Sequence, residues 1–231
     1  MTRQIFASAL YAGLAAGALA FLLQYLFINP LILEGELYED GTRTHFAASL
    51  DAAVQSPAGL DMIETTRDFT RDAMSFGVSL ITYTAFALIL VGLMAAADRM
   101  GRTITPRQGI IWGLAAFVSF QLAPAFGLPP ELPGTVAAEV GLRQQWWIGC
   151  VLATGAGIAL IAFGAGLILP ILGIALIAAP HLIGAPHLDT YFGVAPPELS
   201  AQFATASLAV SAATWTILGL LASTFYTRSE G

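Results

Sequence analysis

Lysine is missing altogether: every one of the nine basic residues in the 231-residue chain is an arginine. A phosphate-binding loop of the Walker type needs its lysine, and so do Schiff-base and lysine-base enzymes. The chain therefore has no ATP-hydrolysing site of that kind. Cysteine is nearly absent too. A single residue, Cys150, excludes an internal disulfide and a cysteine-built metal cage. It lies in an apolar run, 147–152, and reads as a small packing residue. Charge of either sign is scarce, at 10% of residues, where soluble domains carry about a quarter. The net charge of −6 with no basic patch argues against nucleic acid as a partner. Catalytic signatures are also lacking. There is no H-E-x-x-H and no G-x-S-x-G, and His181 has no Ser or Asp in register on an expected neighbouring helix. The chain does not read as an enzyme; an intramembrane protease or lipid-modifying enzyme stays open as an alternative, with no residue arguing for it.

What is present is apolar length. Hydrophobic residues make up 57% of the chain, and they fall into runs long enough for the roughly 20 residues a membrane helix needs. The expected spans are 5–33, 75–97, 108–128, 146–163, 167–183 and 199–225. These form one all-α, polytopic membrane domain over 1–231, with an acidic outer loop at 34–74. The N-terminal run is too long for a signal-peptide core and reads as a retained first span. Gly164, Gly166 and Pro170 divide the region 145–184 into a tight hairpin; a shallow re-entrant loop would look similar. Six spans put both termini on one side. The short 98–107 loop holds Arg99, Arg102 and Arg107, which favours a cytoplasmic N-terminus and C-terminus.

On that topology thirteen of the fifteen acids face outward, leaving Asp98 and Glu230 inside. Glu34, Glu36, Glu39 and Asp40 cluster at the outer end of the first span, and all three histidines (His45, His181, His187) share that side. Carboxylates and imidazoles are the ligands of hard and borderline divalent cations, and an acidic rim attracts cations by its field alone. Each residue also has a plainer reading. His45 fits a surface loop. The stretch 60–80 is expected to start the second helix near Leu60, with Ser56-Pro57 as breaker. Its Asp68–Arg71 and Arg67–Asp72 pairs suit a solvated helix face.

"QLAPAFGLPPELPG" (121–134) places Gln121 and Glu131 around Pro124, which is expected to kink the third helix and free backbone carbonyls. Equally, Pro129-Pro130 ends that helix with Glu131 on the surface. The Trp pair in "RQQWW" (143–147) suits an interfacial anchor. In "APHLIGAPH" (179–187) His181 falls at the end of the fifth span, where an ionisable group is a functional candidate. His187 lies six residues on, which is not a helix-face spacing, so the two rings converge only through a turn.

Taken together, "WGLAAFVSFQLAPAFGLPPELPG" (112–134), "RQQWW", "APHLIGAP" (179–186), "PPELSAQFATASL" (196–208) and "NPLILEGELYE" (29–39) resemble CbtA, a family of predicted cobalt transporter subunits. The resemblance implies a membrane permease subunit for divalent cation uptake without its own ATPase. The transported ion would be Co²⁺ for cobalamin synthesis, with Ni²⁺ or another divalent cation as the alternative. It implies no resident cofactor, no nucleotide, and a small single-span histidine-rich partner (CbtB-like). The expected location is the bacterial cytoplasmic (inner) membrane. Glu34, Glu36, Glu131 and His181 lie in the matching motifs, with His187 and His45 as further metal-ligand candidates and Gln121 and Pro124 along the path. The first outer loop departs from the family, holding His45 alone where relatives are histidine-rich, which shifts the burden to carboxylates or the partner. A different reading of the same features is a non-transporting membrane scaffold or chaperone that binds that partner.

Overall fold

The first apolar run does not stop where lipid would end it. Helix α1 (Thr2–Glu39) runs for 38 residues, about 57 Å at 1.5 Å per residue, against a hydrocarbon core of about 30 Å. The computed structural model describes residues 2–45, 68–190 and 193–228. Beyond α1 it contains α2 (Phe69–Arg99), α3 (Pro106–Ala125), α4 (Val140–Phe163), α5 (Ile168–Ile183) and α6 (Pro197–Arg228). There is no strand among the described residues. Five of these helices are long and apolar enough to cross a membrane, and α5 is shorter at 16 residues. The molecule is a polytopic helical bundle.

Helix ends follow caps rather than apolar content, so several lie outside the spans read from hydropathy. Asp68 caps α2, accepting the Thr70 and Arg71 N–H groups at 2.9 and 3.2 Å. Helix α2 thus begins at Phe69; the start expected near Leu60, the Ser56-Pro57 breaker and Arg67 lie outside the described residues. Thr105 and Gln108 form a reciprocal capping box before α3, with Pro106 as its first residue. Glu139 caps α4 by accepting from Gly141 and Leu142, each at 2.8 Å. Those two N–H groups hold its carboxyl below the usual carboxylate range. The α4–α5 hairpin turns at Gly166, whose φ of +72° suits a residue without a side chain.

Three close helix pairs organise the bundle, each on small residues. Gly13 and Gly17 of α1 lie against the backbone of Thr84 and Leu80 in α2. Gly109 and Gly113 of α3 meet Trp215, Gly219 and Ser223 of α6, and Gly157 of α4 meets Gly173 of α5. In lipid no hydrophobic driving force favours helix association, so close backbone approach on small residues supplies the packing. Helix α1 also packs on α6, whereas α5 touches only α4 among the described helices. An aromatic centre of Tyr83, Phe86, Phe120 and Trp215 fills the middle of the main core.

Gln4 donates to the Tyr226 carbonyl at 3.1 Å, and the Tyr226 hydroxyl donates to Asp98 at 3.2 Å. The first and last helices therefore end together beside the 98–107 loop. At the opposite end a second, smaller core forms from Ile28, Leu132, Phe203 and Val210. It joins the projecting end of α1, the segment after α3 and the start of α6 into a cap over the bundle.

Candidate functional site

The cap is where the sequence gathers its acids. Gly35 lies against Leu132, whose side chain would sit 3.1 Å from an added Cβ, so the segment carrying Glu131 rests between Glu34 and Glu36 on α1. Their carboxylates are not free. Arg43 pairs with Glu34, and Arg143 pairs with Glu131. Arg71 forks onto both oxygens of Glu36, at 2.6 and 3.1 Å. Arg71 thus reaches back from α2 to α1 instead of forming the helix-surface partner of Asp68, whose carboxylate is occupied by the α2 cap. Three arginines clasp three candidate ligands one to one. These pairs are partly solvated, with side-chain exposures of 24–46%. Such pairs contribute about 0–1 kcal/mol. Asp40 is a turn residue: it accepts the Thr42 N–H at 2.8 Å, which holds its pKa down.

His181 is exposed in the last turn of α5 and stands edge-on to two aromatic rings, Phe126 and Trp146, each with centroids 6.1 Å away. Trp146 donates its indole N–H to the Pro180 carbonyl at 3.1 Å, tying α4 to the end of α5. Arg143 and Trp146 are nearly one turn apart on α4, so that helix holds both Glu131 and the Pro180–His181 turn. His187 is exposed, its Nδ1 lying 3.0 Å from the Leu188 carbonyl oxygen. His45 is partly exposed near the end of the first described segment. Among the described residues no three His, Cys, Asp or Glu side chains come together as a metal cage. The sequence-derived ligands share the cap but do not converge on one point.

The helices beneath the cap are irregular at two related places. A five-residue π turn occupies Gln24–Ile28 of α1 and another occupies Val118–Leu122 of α3. In each, a proline (Pro30, Pro124) follows two residues after the turn ends. Asn29 donates to the Gln24 carbonyl and Ala123 to the Val118 carbonyl, five residues back. The prolines have no N–H, so the carbonyls of Leu26 and Phe120 lose their α-helical donors. Widening the preceding turn removes the clash of each ring with the helix. Pro124 is fully buried and Gln121 partly buried in the α3 turn.

The α1 turn borders a cavity of about 120 Å³ whose polar lining includes Gln24, Asn29, Asp72 and Ser75. The sequence reading assigned no role to Gln24, Asn29 or Ser75 and placed Asp72 on a solvated helix face, though Gln24 and Asn29 ahead of Pro30 mirror the Gln121–Pro124 stretch it singled out.

The model of the family described as Probable cobalt transporter subunit (CbtA) matches residues 2–227. The chain belongs to the CbtA family. No curated protein and no solved structure matches it. As a CbtA member it is a multi-pass membrane protein and a cobalt transporter subunit, and the family points to Co²⁺ as the substrate. A cap of carboxylates, amides and imidazoles suits such an ion; thiolate chemistry has no place in it, since Cys150 is buried elsewhere.

Proposed function

We propose that this CbtA-family chain is the permease subunit through which Co²⁺ crosses the bacterial cytoplasmic membrane for cobalamin synthesis. It works without an ATPase of its own and beside a small histidine-rich single-span partner. The observation that carries this reading is the family match over 2–227, nearly the whole bundle. The charge layout supports the direction of transport. The end where Gln4 meets Tyr226 lies beside Arg99, Arg102 and Arg107 and would face the cytoplasm. The acidic cap would face outward and gather the ion. A divalent ion entering down a negative-inside potential gains about 4.6 kcal/mol per 100 mV, which drives uptake without nucleotide.

In this reading Glu34, Glu36 and Glu131 exchange their arginines for the ion at the cap, and His181 receives it at the head of the α4–α5 hairpin. Uptake of ⁵⁷Co by cells that depend on this chain tests the assignment. Glu131→Gln and His181→Ala are each expected to lower uptake about tenfold, the lower end of what metal-site substitutions cost. Undiminished uptake by variants present at wild-type levels would remove both residues from the path. Purified chain in liposomes separates permease from scaffold, because a scaffold passes no Co²⁺ alone or with its partner.

A further inference from the structure

We propose that the cavity between the π turn of α1 and the first turn of α2 is a loading site, where Asp72 binds a divalent cation that keeps part of its water shell. The identity of the ion rests on the cobalt reading above; the site is distinct from the arginine-clasped acids of the cap.

Space comes first. The cavity measures about 120 Å³, whereas one water needs about 10–15 Å³, so an ion fits with several of its waters. Phe21 also lines it, and the ring of Phe21 meets that of Phe76 at 5.2 Å, giving the cavity an apolar wall.

Charge comes second. Asp72 and Arg71 both line the cavity, but the Arg71 guanidinium is committed to both oxygens of Glu36. The Asp68 carboxylate covers the N–H groups that open α2, which offsets the positive end of that helix. Asp72 itself makes no side-chain hydrogen bond or ion pair with any described residue. With Glu36 and Arg71 cancelling, Asp72 leaves this corner of the molecule one net negative charge, partly offset by its attraction to Arg71.

The remaining donors decide the class of ligand. Gln24, Asn29, Ser75 and Tyr25 offer amide and hydroxyl oxygens, with no thiol and no imidazole. One carboxylate among neutral oxygens cannot strip a divalent ion of all its water, but it suits an ion held largely through its own waters. The α1 turn adds backbone oxygen. With the Asn29 N–H diverted to Gln24 and no N–H on Pro30, the Tyr25 and Leu26 carbonyls lack their usual donors. Irregular backbone is tolerated at membrane depth where it lies against protein or lines a cavity, and this turn lines one.

The test is equilibrium Co²⁺ binding to the purified full-length chain in detergent, by calorimetry and visible absorption. Asp72→Asn is expected to weaken binding about tenfold or more, and Asp72→Glu to recover part of the loss. The bound ion should show the weak absorption of six-coordinate oxygen ligation. Matching thermal unfolding of Asp72→Asn and wild type excludes a folding defect. Wild-type affinity in Asp72→Asn overturns the site, as does the intense absorption of a tetrahedral nitrogen-rich centre. Failure of the wild-type chain to bind Co²⁺, while cells still take up cobalt through it, also overturns the site and leaves the permease reading standing. Absence of cobalt uptake by cells carrying the wild-type chain instead removes that reading, whatever Asp72 binds.

Discussion

Gly113→Leu is expected to leave almost no folded protein in the membrane. A Cβ at this position would overlap the Trp215 carbonyl and crowd Gly219, both backbone of α6. Overfilling a packed site costs about 1–3 kcal/mol where side chains can yield. Here the obstruction is main chain on a neighbouring helix, so the pair α3/α6 must separate. Gly92→Leu is the control. Nothing lies within 4 Å of a Cβ at Gly92, and replacing a mid-helix glycine gains about 0.5–1 kcal/mol. The expected result in detergent is a monodisperse, wild-type or slightly higher-melting Gly92→Leu and an aggregated or degraded Gly113→Leu. A well-folded Gly113→Leu would mean that α3 and α6 are not held at backbone distance.

Trp215→Ala should be the most destabilising truncation in the bundle, by about 3–5 kcal/mol. Trp215 is 1% exposed. Its ring stacks on Phe120 with centroids 5.5 Å apart, and lies 4.7 Å from Phe86. Phe120 belongs to the α3 π turn, so the indole braces the widened backbone ahead of Pro124. Its Nε1 has no hydrogen-bond partner within the described structure. Trp215→Phe therefore loses no hydrogen bond and is expected to cost less than about 1.5 kcal/mol, the range of tolerated apolar exchanges. Unfolding of both variants in denaturant and detergent checks the pair. A large loss in Trp215→Phe would show that Nε1 donates to a group within the folded protein, such as a trapped water on the Phe120 carbonyl.

Helix number and order were readable from apolar run length, because lipid sets a minimum span and Pro/Gly clusters interrupt it. The Gly164–Gly166 break and the hairpin at 163–168 fell where the glycines indicated. Helix ends were read less well. Asp68 and Glu139 act as caps through their side chains, which hydropathy does not register. Leu31 and Ile32, near the end of the apolar run 5–33, pack onto the small core of Ile28, Leu132, Phe203 and Val210.

The candidate site was legible as chemistry and not as geometry. Glu34, Glu36, Glu131 and His181 stood out by residue type and motif. Their partners did not: Arg71 lies 35 residues from Glu36, and Arg143 lies 12 from Glu131. Asp72 read as one more charge on a solvated helix face, since nothing local in sequence says that α2 opens opposite a π turn in α1.

The sequence by itself determined that this is a lysine-free, helical membrane protein with few charges, and its motifs carried the family. Those properties depend on composition and on order along the chain. Only the tertiary structure decided which acids are clasped by arginine and which one lines a cavity. That depends on which faces of distant helices meet, and small residues at Gly13, Gly17, Gly109, Gly113 and Gly219 set those meetings by allowing backbones to touch.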